Sequence, residues 1–321
     1  MYGSGVNSFH LLIGEWNNDR IEIVERCSEK VQLGEDAGTT GLISSAAFAR
    51  GLLCLEHFKS LMDQYPIGQY WALGTNTFRV SQNSAAFLAA AKQSGIEIAV
   101  ISGVQEALLI YAGVISTLPV SEDNRLVIDI GGGSTEVIVG WKHKRLLTES
   151  LPIGSVAWRD RFFSTTAATT DKLQLAVDLA IEAARSEFSA VAPGVKKAHW
   201  SEVHAASGTV KMLASLCEAY GFGSGVIRFE ALQKLRPRLV AAVANQTELD
   251  GMNERRRDLL LAGYSVMTGL MEAYSIDILS FSATALREGM LGFMLKNKKT
   301  LPAFNHSNLP EVIFATKSRR G

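Results

Sequence analysis

The run Leu126-Val-Ile-Asp-Ile-Gly-Gly-Gly-Ser-Thr-Glu136 gathers the residue types that handle phosphate. An apolar run carries a carboxylate, Asp129, near its end; Gly131, Gly132 and Gly133 open a turn; the hydroxyls of Ser134 and Thr135 follow; and a second carboxylate, Glu136, leads into Val137-Ile-Val-Gly140. Backbone N–H groups with no side chain in the way can approach an anion closely. A carboxylate at a strand end can hold a hard divalent cation such as Mg²⁺. An ordinary glycine-rich hairpin fits the same residues, and the segment alone leaves both readings open. A second candidate lies in Ile101-Ser-Gly-Val-Gln-Glu-Ala107, where Ser102 and Gln105 have the spacing of a capping box. Gln105 then has a structural task, while Glu106, in the first helical turn, can align a water for attack on phosphorus or simply complement the helix dipole.

The elements that must position these groups show a repeat. Gly5-Val-Asn-Ser8-Phe-His-Leu-Leu-Ile-Gly14 can be laid over Gly131-Gly-Gly-Ser134-Thr-Glu-Val-Ile-Val-Gly140: a glycine turn, a serine, two variable residues, three aliphatics and a glycine. Polar turns follow both, Asn17–Arg20 and Lys142–Arg145, so each copy reads as a β-hairpin. Gly74-Thr75 and Ser207-Gly208-Thr209 form a second matched pair, each where a strand runs into a helix, expected over Asn76–Ala91 and Val210–Tyr220. Helix N-termini favour anions. Two matches in the same order indicate duplication, hence two α/β domains with a cleft between them and a crossing near Thr117–Asn124. Leu259–Tyr274 is apolar nearly all round and reads as a buried core or interdomain helix.

The bulk properties exclude several classes. The 321 residues are 47% hydrophobic and 20% charged, with Lys+Arg 32 balancing Asp+Glu 32, so no global field steers the chain to nucleic acid or to an anionic membrane. No apolar run reaches the about 18 residues that a membrane span needs, and no signal core opens the sequence. Cys27, Cys54 and Cys217 are far apart and odd in number, which offers neither a disulfide framework nor a metal-site spacing and fits a reducing cytoplasm.

Taken in order, Gly5-Val-Asn-Ser-Phe-His10, Gly74-Thr-Asn-Thr-Phe-Arg79 with Asn83, Ile101-Ser-Gly-x-x-Glu-Ala107, Val127–Glu136, Ser207-Gly-Thr209 and Ser282-x-x-x-Leu-Arg-Glu-Gly289 resemble the Ppx/GppA phosphatases. These are the exopolyphosphatases and guanosine pentaphosphate phosphohydrolases of the actin, Hsp70 and sugar-kinase superfamily. The resemblance implies an α/β fold of two ribonuclease H-like, actin-like ATPase domains, over 1–119 and 120–295, with 296–321 packing back on the first, in the short two-domain form. It implies Mg²⁺-dependent hydrolysis of terminal phosphoanhydride bonds of polyphosphate or guanosine pentaphosphate in a cytoplasmic protein, with a homodimer among the expected partners and no nucleic acid or membrane. Glu106 matches the water-activating carboxylate, with Arg79 and Glu136 beside it in catalysis, and Asp129 matches the metal ligand. Phosphate contacts are implied for Gly5, Asn7, Ser8, Asn83, Gly131, Gly132, Gly133, Ser134, Thr135, Ser207, Gly208 and Thr209.

The departures also bear on function. Where the family reads Asp-x-Gly-Ser-Asn-Ser, this chain has Gly3-Ser-Gly-Val-Asn-Ser8, so the first copy lacks its carboxylate. Either the start of the sequence lies too late or Asp129 holds the metal with fewer partners. Two other readings therefore stand beside hydrolysis: a polyphosphate or alarmone sensor without turnover, and a kinase of the same superfamily. Arg255-Arg-Arg-Asp258 places three cations at a helix start, where a nearby anion would relieve their conflict with the dipole. Arg287 and Glu288 are expected to form a structural pair.

Overall fold

The computed structural model describes residues 8–17, 20–35, 37–164, 169–296 and 313–314. It divides into two compact units, Met1–Pro119 with Leu286–Gly321, and Val120–Ala285.

The first unit opens with an antiparallel hairpin, β1 (Ser8–Asn17) and β2 (Arg20–Lys30), followed by α1 (Ala37–Thr40) and α2 (Ser45–Met62). The Ser44 side chain accepts from Ala47 N and starts α2. Next come β3 (Ala72–Gly74), α3 (Asn76–Val80), α4 (Ser84–Gln93), β4 (Ile98–Val100), parallel to β3, and α5 (Gly103–Ile115). The single helix expected over Asn76–Ala91 is broken. Gln82 N donates to Gly41 O (2.8 Å), and Asn83 both accepts from Ile43 N (2.8 Å) and donates to Ile43 O (2.9 Å). These bonds draw residues 81–83 out of the helical path. The core of this unit gathers Leu33, Phe58, Phe78 and Phe87 with neighbours from β2 and α2.

The second unit holds a six-stranded sheet in the order β7-β6-β5-β8-β10-β9. β5 (Asn124–Ile130), β6 (Thr135–Trp141) and β7 (Lys144–Leu151) form an antiparallel meander. After α6 (Ser155–Phe162), α7 (Thr170–Ser189) and α8 (Ala192–Lys197), β8 (Glu202–Ala206) joins parallel to β5. Then come α9 (Gly208–Ala219), β9 (Val226–Arg228), α10 (Phe229–Ala244), a 3-10 turn (Glu254–Leu259), α11 (Leu260–Tyr274) and β10 (Ile278–Phe281). β10 is parallel to β8 and antiparallel to β9. A meander continued by parallel strands is the ribonuclease H-like α/β plan expected from the sequence. The all-apolar helix is α11, and it belongs to the core of this unit. A Cβ on its Gly269 would stand 2.7 Å from backbone atoms of α7, so only glycine allows the two helices to approach this closely.

The chain then returns to the first unit with α12 (Leu286–Lys296) and β11 (Ile313–Phe314), which pairs parallel to β2. Gly289 of α12 lies against α5, where a Cβ would fall 1.8 Å from Leu109 O. Glu288, almost wholly buried, accepts from Arg26 of β2 at 3.0 Å. It thus ties α12 to β2, while burial lowers the pKa of its neighbour Arg287 and the Glu288 charge raises it against that burial.

The two hairpins share an irregularity. The β1–β2 register shifts between Ile13 and Gly14, and the β6–β7 register shifts between Val139 and Gly140. These are the same positions in the repeat read from the sequence, so the aliphatic-aliphatic-aliphatic-glycine string encodes a bulge in both copies.

Candidate active site

In the second unit the glycine loop is held from behind. Gly131 N donates to Ser134 O (2.9 Å), which closes the turn. Ser155 N donates to Gly131 O (2.9 Å), while Val156 N and Ala157 N donate to Gly132 O (2.9 and 3.1 Å). The carbonyls of Gly131 and Gly132 are therefore taken up by the start of α6. Among the described residues the N–H groups of Gly132, Gly133 and Ser134 have no acceptor. A loop with its oxygens tied down and its N–H groups unspent is an anion-binding device. None of its glycines has a positive φ, so their value lies in close approach and not in left-handed geometry. Gly154, which caps α6, packs on the loop so tightly that a Cβ there would lie 2.3 Å from the carbonyl of Gly132.

The start of α9 is tied to the same loop. Thr209 Oγ1 lies 3.2 Å from Ser155 Oγ, and Ser155 Oγ donates to Gly131 O at 3.3 Å. Ser207 sits at φ 108°, a conformation that costs a non-glycine residue about 1–3 kcal/mol. Its Oγ accepts from Thr209 N and Val210 N at 3.1 Å each, which fixes the turn. Against Gly208 lies the Arg256 guanidinium: a Cβ on Gly208 would be 2.1 Å from its Nη2. Arg159 donates to Asp258 (2.8 Å) and holds the 3-10 turn that carries Arg256 to α6. Among the described residues the Arg256 side chain makes no hydrogen bond or ion pair, and burial pulls its pKa down against the pull of Asp258 upward. A half-buried cation whose guanidinium makes no hydrogen bond among the described residues, beside a helix N-terminus and a row of free N–H groups, favours an anion.

The carboxylates stand on the neighbouring strands. Asp129 of β5 is directly opposite Glu136 of β6, and Glu136 is opposite Ser150 of β7, so all three share one face of the sheet. Ser150 Oγ donates to Glu136 Oε1 at 3.0 Å. Two carboxylates and a hydroxyl on one face form a hard, all-oxygen donor set, which suits a divalent cation such as Mg²⁺. Thr135 is different. Its hydroxyl donates to Ile153 O at 2.6 Å in a fully buried position, so its task is to shape the loop.

In the first unit the capping box is formed as expected: Gln105 N donates to Ser102 Oγ (3.2 Å) and Ser102 N to Gln105 Oε1 (2.9 Å). Glu106 follows, buried, with Oε2 accepting from Arg79 Nη1 at 2.9 Å. The same Nη1 also donates to Ile101 O at 2.9 Å, which fixes the guanidinium at the mouth of α5. Burial raises the Glu106 pKa, and Arg79 offsets that rise only in part. Asn83 spends its amide on Ile43 and so anchors the chain before α2. Ser8 begins β1 opposite Lys30, while Gly3, Gly5 and Asn7 lie outside the described residues.

The Ppx/GppA phosphatase family model matches residues 12–298. The chain belongs to the Ppx/GppA phosphatase family. A Haemophilus influenzae protein named provisionally as an exopolyphosphatase is 32% identical over 295 residues, 91% of this chain and 90% of its own length. The guanosine-5'-triphosphate,3'-diphosphate pyrophosphatase of Pseudoalteromonas atlantica is also 32% identical over 91% of this chain, which spans 58% of that longer protein. The crystal structure of an exopolyphosphatase from Cytophaga hutchinsonii superposes with a TM-score of 0.80 at 27% identity, covering 91% of this chain and 96% of its own. Membership makes the protein an enzyme of a hydrolase family, with the fold of that exopolyphosphatase.

Two features of the cradle of this Ppx/GppA phosphatase leave little trace in its sequence. Gly154 and Ser155 carry no motif, and only the fold brings them under the glycine loop. Arg256 was one of three adjacent arginines, and its two neighbours have other roles or partners: Arg257 pairs with Glu254 at 2.6 Å, and Arg255 N is bound by Asn253 Oδ1. The signal that could have singled it out is the sequence Arg256-x-Asp258, in which the aspartate anchors the turn through Arg159.

Proposed function

We propose that this phosphatase removes the terminal phosphate of inorganic polyphosphate or guanosine pentaphosphate, with Glu106 as the general base. The observation that carries the reading is the buried Glu106–Arg79 pair. Desolvation makes the carboxylate a stronger base than one in water, and the arginine holds one of its oxygens in a fixed direction. In the proposed reaction the oxygen of a water bonds to the terminal phosphorus as the bridging P–O bond breaks. The water proton passes to Glu106, and inorganic phosphate and the shortened chain leave. The second unit holds phosphate oxygens through the N–H groups of Gly132, Gly133 and Ser134, the start of α9 and Arg256, whose planar fork suits phosphate. Asp129 and Glu136 would hold a divalent cation, Mg²⁺ in this reading, which offsets charge on the phosphates when bound.

The names of relatives point to both substrates and do not choose between them. The test is phosphate release by the purified chain from tripolyphosphate and from guanosine pentaphosphate, with Mg²⁺ and with chelator. Release from at least one substrate that chelator stops is expected. Tight binding without release would make the protein a sensor, and ADP formed from ATP only when an acceptor is added would make it a kinase.

A further inference from the structure

Three residues with metal-ligating side chains meet in the first unit, on elements that the proposed reaction does not use. Cys27 and Glu29 are two apart on β2 and so face the same side of the hairpin. His57 comes from α2, and its Nδ1 contacts Glu29 Oε1. The ligand atoms of Cys27, Glu29 and His57 all lie within 4.8 Å of one another. A fourth candidate stands near them: Cys54 is three residues before His57 on the same face of α2, and burial and the charge of Glu29 hold its thiol protonated.

We propose that Cys27, Glu29, His57 and Cys54 form a zinc site that clamps α2 to the β1–β2 hairpin. The donor chemistry selects the metal. Sulfur and imidazole favour zinc over Mg²⁺ or Ca²⁺, and a carboxylate completes a tetrahedral set. The geometry is close to what binding requires. With bonds of about 2.0–2.3 Å, tetrahedral zinc ligands stand roughly 3.5 Å apart, so side-chain shifts of about 1 Å bring Cys27, Glu29 and His57 into place, and a turn of the Cys54 side chain would supply the fourth ligand. The local charge also suits a cation, because Glu25 lies near Cys27 on the same strand face as Glu29. Cys54 belongs to the apolar core and Cys27 packs against that core, which shields the metal–sulfur bonds from water. Binding replaces each S–H by a zinc–thiolate bond and releases one proton per cysteine to solvent. Spacing along the chain hid the set, because its members come as i, i+2 on a strand and i, i+3 on a helix.

The test is a titration of the chelator-treated full chain with Co²⁺ alone. One equivalent is expected to produce a thiolate-to-cobalt charge-transfer band and the visible bands of a tetrahedral site, and Zn²⁺ should bleach both. C27S should lose about half of the charge-transfer intensity, as should C54S, while H57A should shift the titration to higher metal. C217S, which alters the cysteine of the second unit, should match wild type. E29Q, on a partly exposed side chain, provides a second ligand variant if C54S fails to fold, and it should also weaken the titration. Absence of the charge-transfer band in wild type, or a band undiminished in C27S, would overturn the proposal. Phosphate release is a separate readout, so a failed metal site leaves the hydrolase reading untouched.

Discussion

Replacing Gly154 with alanine tests whether the glycine loop owes its shape to backbone-on-backbone packing. The φ of Gly154 is −147°, open to any L-residue, so alanine introduces no backbone strain. With free space at the site, the change would stabilise the protein by about 0.4–1 kcal/mol through the unfolded chain. The structure predicts the opposite sign. The new Cβ would lie 2.3 Å from both the carbon and the oxygen of Gly132 and 2.5 Å from Gly133 N. Ordinary contacts need about 3.5 Å, so the loop or α6 must retreat by about 1 Å. That retreat stretches the bonds from Ser155, Val156 and Ala157 to the loop, now 2.9, 2.9 and 3.1 Å. Weakening them at about 0.5–1.5 kcal/mol each, less some relaxation, gives a destabilisation of about 2–3 kcal/mol. The melting temperature should fall by roughly 4–12 °C. Because the displaced N–H groups are the proposed phosphate donors, KM for tripolyphosphate should rise more than kcat falls. Calorimetry and steady-state phosphate release check both parts. A variant as stable as wild type or more so, with unchanged KM, would refute the reasoning.

Arg256→Ala should separate binding from stability. Its side chain makes no hydrogen bond or close ion pair among the described residues, so the melting temperature should hold or rise, while kcat/KM falls roughly 10- to 150-fold from the loss of about 1.5–3 kcal/mol of charged hydrogen bonding to phosphate. Glu106 has a raised pKa, so the acidic limb of kcat/KM against pH should lie above the ordinary carboxylate value of 4.5. Arg79→Met removes the offsetting cation and should move that limb further up; an unchanged limb would show that Glu106 is not the titrating base. The same shift sets a stability trend. A carboxylate raised on folding favours the folded state below its unfolded pKa, and that contribution is lost as pH rises through the folded value. Glu106→Gln should therefore melt at neutral pH no lower than wild type, as thermal scans across pH can show.

Local chemistry was legible in the sequence and long-range packing was not. The capping box of Ser102 and Gln105 and the strand–loop–strand from Asp129 to Glu136 are set by neighbours a few residues away, and the structure shows both. The repeat proved informative down to the matched bulges at Gly14 and Gly140. Hydroxyl and amide side chains were harder to read, because a threonine or asparagine in a phosphate motif looks the same whether it faces a ligand or the backbone. Thr135 and Asn83 bond to Ile153 and Ile43, and only their tertiary neighbours reveal it. Arg256 and the Cys27–His57 cluster depend on contacts between elements far apart in the chain, which no spacing rule reaches.

The central claim is that Glu106 takes the proton from the attacking water, and Glu106→Gln tests it most directly. The amide keeps the shape and can still accept from Arg79 through its oxygen, yet it cannot take the proton. Single-turnover phosphate release from tripolyphosphate should fall by about 10²–10⁴-fold, while substrate affinity, measured by calorimetry on the same preparation, stays within a few-fold of wild type. A variant that releases phosphate at the wild-type rate would contradict the account.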